Sequence, residues 1–225
     1  MPANIISVFN QKGGSGKTTT SIHIAGTLGL RGAKVLIVDM DEQNTATRWV
    51  GQADDEHPFP AAIMNLAALD GRMHQEVKKQ INSYDFIVID CPPAVHSQAP
   101  MSALLIADFA IIPVVPSPAD LWATVMAKEL ANKTRGLNET LVVRVLANAV
   151  QRRTSLAKDA IEVLAEDKDI PIMRAMIGAR SAFRECQAIG ATVHRVPGAK
   201  EAVSEVEEMV SEILDIMKIG EKTWR

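Results

Sequence analysis

The chain has 225 residues and is 47% apolar, which suits one large domain with a real core and excludes disorder as its main state. Two cysteines exclude a disulfide framework and a cysteine-rich zinc cluster, and a net charge of −3 carries no global basic signal for nucleic acid. Residues 1–4 lack a charged leader pattern, and the apolar stretch 103–115 is broken by Asp108 and Pro113 and falls short of the ~18–20 residues of a membrane span, so a cytoplasmic protein with no membrane partner is expected.

In chain order, residues 5–9 form a short apolar run that ends in Asn-Gln-Lys-Gly-Gly, the pattern of a buried strand closing in a turn. Residues 17–30 predict a helix with Ile22, Ala25, Leu28 and Leu30 at apolar positions and Gly32 just past its end. A second strand over 35–38 precedes a helix over 42–50, and the polar, proline-bearing 54–60 is a loop. Met73, Val77 and Ile81 mark a helix, as do Leu121, Val125 and Leu130. Further strands are predicted over 86–89, 110–112 and 141–146. The last helix, 199–218, carries Val203, Val206, Val210, Ile213 and Met217 on one stripe with acids opposite. Continuous apolar strands alternating with helices predict one α/β domain over 1–225, a mostly parallel twisted sheet flanked by helices.

The segment Lys12-Gly13-Gly14-Ser15-Gly16-Lys17-Thr18-Thr19 falls between the first strand and the first helix. Its three glycines let successive backbone N–H groups turn toward phosphate oxygens, and the following helix adds its positive end. Lys17 offers a point charge to β/γ-phosphates and the Thr18 hydroxyl a ligand to Mg²⁺. Asp90, ending an apolar strand, suits Mg²⁺ held through water. Asp41 reads either as a group acting at the phosphates or as the cap of the helix over 42–50, and Cys91 reads as a small buried residue.

The loop lacks the first glycine of the standard P-loop, where Gln11 stands, and adds Lys12 instead. This K-G-G-x-G-K-T-T pattern, with Val38-Asp39-Met40-Asp41 and F-I-V-I-D-C-P-P over 86–93, resembles the deviant Walker A ATPases of the ParA/MinD family. The resemblance implies a P-loop fold binding ATP and Mg²⁺, with Asp41 orienting the attacking water and Asp39 behind it. It also implies that Lys12 reaches the nucleotide of a partner protomer in an ATP-sandwich homodimer, and that Asn148 contacts the base. Asn148 reads equally as a turn residue after a strand. Glu42 stands where the family usually has proline, placing an extra negative charge beside the site.

Within the family the alternatives are a partition ATPase on a DNA track, a MinD-like membrane-cycling regulator and a nucleotide-gated switch without turnover. Residues 201–225 hold three basic and seven acidic residues, which disfavours a basic membrane-binding tail. Residues 144–200 hold ten basic against six acidic residues and seven of the twelve arginines. Arg152, Arg153, Arg180 and Arg184 are therefore candidate contacts to non-specific DNA, with Arg174 and Arg195 nearby in sequence; buried arginines could instead brace the fold. Residues 177–185 also resemble the family's region before its penultimate helix. With the P-loop at residue 12, an N-terminal helix-turn-helix domain is not expected, so the resemblance implies the small ParA class. Such a protein would segregate plasmid or similar DNA cargo through a small centromere- or operator-binding adaptor and associate with the nucleoid when ATP-bound. Slow turnover, accelerated by that adaptor, is expected.

Overall fold

Every residue of β2 (Val35–Asp39), β4 (Phe86–Asp90) and β5 (Phe109–Val114) is buried, as strands covered on both faces require. With β1 (Asn4–Val8), β3 (Ala62–Asn65), β6 (Val142–Val150) and β7 (Ile172–Gly178) they form a seven-stranded sheet in the order β3-β2-β4-β1-β5-β6-β7. All its strand pairs are parallel. This is the architecture of the computed structural model, which describes residues 2–93, 97–151 and 154–220. The helices are α1 (Lys17–Leu30), α2 (Thr45–Val50), α3 (Met73–Gln80), α4 (Ala99–Ile106), α5 (Pro118–Arg135), α6 (Ser155–Ala165), α7 (Ala182–Ala188) and α8 (Lys200–Met217).

Alternate strand residues feed two cores. Ile6, Val8, Val88 and Ile111 meet α1 and α8 through Ile22, Leu28, Val206, Val210 and Ile213. Ile5, Ile87, Ile89 and Ile112 meet the other layer through Met73, Val77, Ala103, Ala127 and Ala131. The predicted single α/β domain with a parallel sheet is the observed fold. Because β1 has β4 on one side and β5 on the other, the chain leaves its C-terminal end at the point where strand order reverses, which is where such sheets bind ligands.

Several elements differ from the sequence expectation. The predicted strands omit β3 and β7; β3 is short and half-exposed, and β7 is Ile-Met-Arg-Ala-Met-Ile-Gly with few β-branched residues. Strand β6 continues beyond residue 146 to Val150 through Ala147-Asn148-Ala149, an irregular stretch with Ala149 at φ +50°. Helix α2 begins at Thr45 rather than 42, because Asn44 adopts φ +54° and residues 41–44 form a turn. On α5, Leu121 and Leu130 pack on the core while Val125 is exposed, the inward face being completed by Ala127 and Ala131.

The acids of α8 do not all lie opposite its apolar stripe. Glu205 and Glu212 are buried against β7, the outermost strand. Glu212 accepts the N–H groups of Arg174 (2.9 Å) and Ala175 (2.7 Å), and Glu205 accepts that of Gly178 (3.0 Å). Side-chain carboxylates thus satisfy backbone donors that a neighbouring strand would otherwise take. Among the described residues no helix is long and apolar enough to cross a membrane.

Candidate nucleotide-binding site

The loop between β1 and α1 is closed by its own side chains. Asn10 donates to the Pro113 carbonyl at the end of β5 (2.9 Å) and accepts the Lys12 N–H (3.1 Å), which fixes the loop's entry. The Lys12 carbonyl accepts both the Lys17 ammonium (2.9 Å) and the Ser15 hydroxyl (3.3 Å). Gly14 and Gly16 have φ of +76° and +87°, conformations that side chains rarely adopt. At Gly16 a Cβ would also lie 1.9 Å from the Asn148 amide nitrogen, so glycine is required there on both counts. Gly13 and Gly14 are exposed, and Thr18 and Thr19 are partly exposed at the first turn of α1.

Asn148 lies within β6 rather than in a turn after it. It is buried and donates its Nδ2–H to the Ser15 carbonyl (2.8 Å), so it braces the phosphate loop from β6, two strands away in the sheet. A cavity of about 460 Å³ is lined by Gly14, Gly16, Thr19 and Asn148 on one side and by Ala179, Arg180 and Arg184 on the other.

The acidic side of the site is built on paired strand ends. Asp39 and Asp90 are register partners on β2 and β4, and both are fully buried. Asp39 accepts the Asp41 N–H (3.1 Å) and both the N–H (2.9 Å) and hydroxyl (2.7 Å) of Thr47. The support for α2 therefore comes from Asp39, while the partly exposed Asp41 carboxylate accepts only the Gln43 N–H (2.9 Å) among the described hydrogen bonds.

Asp90 accepts the Ser21 hydroxyl (3.0 Å), while its other oxygen is buried without a hydrogen-bond partner. Burial pushes its carboxyl up to about 7, opposed by the Thr18 hydroxyl, reinforced by the Asp39 charge, and opposed again by Ser21 and Lys17. Burial also lowers the Lys17 ammonium, against the pull of Asp90, Cys91 and Asp41. An orphaned carboxylate oxygen next to a threonine hydroxyl and a desolvated lysine fits a hydrated Mg²⁺ with phosphates: the cation would restore the Asp90 charge and the phosphates would take Lys17. Cys91 is a buried residue, as expected, and burial pushes its thiol up to about 12.

Lys12 turns out of its own loop. Its ammonium lies 2.7 Å from Asp120 in the first turn of α5, with the side chains 37% and 11% exposed respectively. The Asp120 contact is absent from the sequence reading, although Ser117-Pro118-Ala119-Asp120 has the spacing of a capping box, which marks the start of a helix. Ser21, one turn after Lys17 and so on the same face, was equally available as a partner for Asp90.

The candidate DNA contacts separate into different environments. Arg180 bonds Glu205 through two nitrogens (3.0 and 2.8 Å) and also pairs with Glu201. Arg174 approaches Glu212 and Arg195 approaches Asp54, each at 3.6 Å. Arg184 is exposed, with no ion pair among the described residues. Arg152 and Arg153 lie outside the described residues.

The family model of the CobQ/CobB/MinD/ParA nucleotide binding domain matches residues 6–193. The chain is 29% identical over 210 residues to a maintenance of carboxysome distribution protein A from Halothiobacillus neapolitanus, covering 93% of this chain and 95% of that one. It is 30% identical over 200 residues to the sporulation initiation inhibitor protein Soj of Bacillus subtilis, covering 70% and 77%. The solved structure of apo McdA from Cyanothece has the same fold, with a TM-score of 0.80 at 17% identity over 94% of this chain and 99% of that one. A phosphate loop with an added lysine, paired carboxylates at adjacent strand ends and these likenesses place the chain in the ParA/MinD family of nucleotide-binding proteins.

Proposed function

We propose that the protein is a slow, Mg²⁺-dependent ATPase that forms an ATP-sandwich homodimer and positions a cargo through an adaptor protein, using non-specific DNA as its track. One observation carries this reading: Lys12 extends out of a loop whose phosphate-facing charge is already supplied by Lys17, and once it leaves Asp120 it can reach a second nucleotide. In this reading, Lys17 and the loop N–H groups hold the β/γ-phosphates, and Thr18 with water-linked Asp90 holds Mg²⁺. Asp41 orients the attacking water, and Asn148 keeps the loop in shape beneath the nucleotide. The metal, when bound, neutralises phosphate charge as transfer proceeds. The Asp41 carboxylate holds only the Gln43 N–H among the described hydrogen bonds, since Asp39 supports α2. Slow turnover fits a site whose second lysine must come from another molecule.

The likeness to a carboxysome distribution protein as well as to Soj supports a cargo-positioning ATPase, with the cargo chosen by the adaptor; plasmid or chromosomal DNA is one such cargo. A second reading, a positioning switch not dedicated to DNA, is favoured by the ion pairing of Arg180 to Glu201 and Glu205, which removes one candidate DNA contact. A salt series on random-sequence duplex with ATP, then ADP, separates the two. The first reading expects ATP-gated binding with a slope of about 0.9 per phosphate contact, steeper for the dimer than for the monomer. Equal binding in both nucleotide states, or none, overturns the DNA track and leaves the second reading.

A further inference from the structure

We infer that Asp120 is a counter-ion in cis that parks Lys12 in the nucleotide-free monomer, so that release of Lys12 sets the concentration at which the protein dimerises on ATP. The inference rests on the sandwich-dimer reading above. Three features of the contact support it. The Lys12 ammonium is 2.7 Å from one Asp120 oxygen, while the other oxygen accepts the hydroxyl of Ser117, the N-cap of α5, so the carboxylate is held in place by a neighbour. The N-terminus of α5 carries positive dipole charge and repels a cation, so Asp120 is what makes this position favourable for Lys12. Finally, the carbonyl of Lys12 accepts the Lys17 ammonium (2.9 Å). Phosphates that draw Lys17 to themselves remove one of the bonds that hold the backbone of residue 12, so nucleotide occupancy loosens the parked side chain. A ligand shifts such an equilibrium only by its unequal affinity for the two states, and the competing demand for Lys17 supplies that inequality.

Asp120 is accordingly a positioning residue, acting through Lys12. The test compares wild type, Asp120→Asn and Asp120→Glu by light scattering over a concentration series with a non-hydrolysable ATP analogue. A partly exposed pair holds its lysine by about fivefold, and two are opened per dimer, so Asp120→Asn is expected to dimerise at a concentration lower by on the order of twentyfold. Asp120→Glu, which keeps the charge, should stay near wild type, and monomer affinity for the analogue should change by less than about twofold in both variants. Asp120→Asn that dimerises like wild type or more weakly overturns the latch. A wild type that never dimerises with the analogue overturns the sandwich reading instead. Reductive methylation of Lys12 in the nucleotide-free monomer gives a second readout: the wild-type amine should react more slowly than that of Asp120→Asn, and equal rates also overturn the latch. If Asp120→Asn does not fold, methylation of wild type at low and high salt replaces it, with salt-independent reactivity of Lys12 counting against the pair.

Discussion

The two walls of the site are built on opposite electrostatic plans. On the β1–β2–β4 side, polar groups are gathered and left incomplete: one Asp90 oxygen is buried without a partner, and Lys17 rests on a carbonyl of its own loop. On the β7–α8 side, charges are matched within the protein. Arg180 bonds Glu205 and Glu201, Arg174 approaches Glu212, and Glu205 and Glu212 also hold backbone N–H groups of β7. The first wall leaves a buried carboxylate oxygen for a ligand to satisfy, whereas the second is mostly paired within the protein, Arg184 standing exposed with no ion pair among the described residues. Two arginines of the basic segment 144–200, Arg174 and Arg180, thus meet Glu201, Glu205 and Glu212 of the acidic segment 201–225, contacts that a count along the chain separates and the fold reunites.

This contrast predicts where mutational losses appear. Asp41→Ala is expected to leave binding of a fluorescent ATP analogue intact and reduce phosphate release by about 10²–10⁴-fold, so turnover near wild type breaks its assignment as the water-orienting group. Lys17→Ala should weaken analogue binding by about a hundredfold with little change in melting temperature. A large loss of stability without loss of affinity would show the first wall to be structural after all.

His23 is fully buried on α1 behind the loop. Its Nδ1 lies 2.7 Å from the Thr19 carbonyl and its Nε2 accepts the Val193 N–H (3.3 Å), an arrangement that suits the neutral ring. Burial depresses its pKa to about 4 from an ordinary 6.5. Above pH 6.5 the ring is neutral in both folded and unfolded chains; below it the unfolded chain takes up a proton that the folded one refuses until about pH 4. Stability should therefore fall as the pH drops through this window, by about 2 kcal/mol at pH 5 from His23 alone. Denaturant melts of wild type and His23→Gln at pH 7 and pH 5 check this, the variant losing that part of the slope.

Arg180→Ala is expected to cost about 2 kcal/mol of stability, discounted for partial exposure, because buried Glu205 loses the Arg180 guanidinium. Its effect on DNA affinity should be indirect. Arg184→Ala should leave stability within about 0.5 kcal/mol. If Arg184 touches phosphate, the salt slope of ATP-dependent DNA binding falls by about 0.9 per contact. Reversal of these two outcomes would mean that the second wall opens on binding rather than staying paired.

The first wall was largely legible in the sequence because backbone demand dictates it. Glycines at 14 and 16, Lys17 and Thr18 after a strand, and Asp90 at a strand end are local patterns with local causes. The second wall was not. The pairing of Arg180 with Glu205 depends on how α8 lies on β7, and β7 itself lacks the β-branched run that would announce it. Asp120 and Lys12 are likewise far apart in sequence and meet only because β1 and β5 are neighbours in the sheet. Asp39 shows a subtler limit: the sequence placed a carboxylate at the start of α2, but the turn at Asn44 gave that support to Asp39 rather than to Asp41.

The carboxylates lying along β7 have a consequence for crowding. An outer strand with free N–H groups invites a further strand, and a protein that gathers many copies on one surface would turn that invitation into fibres. Here Glu212 and Glu205 occupy the N–H groups of Arg174, Ala175 and Gly178, so a strand docking there would have to displace buried, paired charges. The opposite outer strand, β3, offers only the four residues Ala62–Asn65. Copies packed together are thereby steered toward contacts between side-chain surfaces, which can be made and released, and away from sheet extension, which resists reversal.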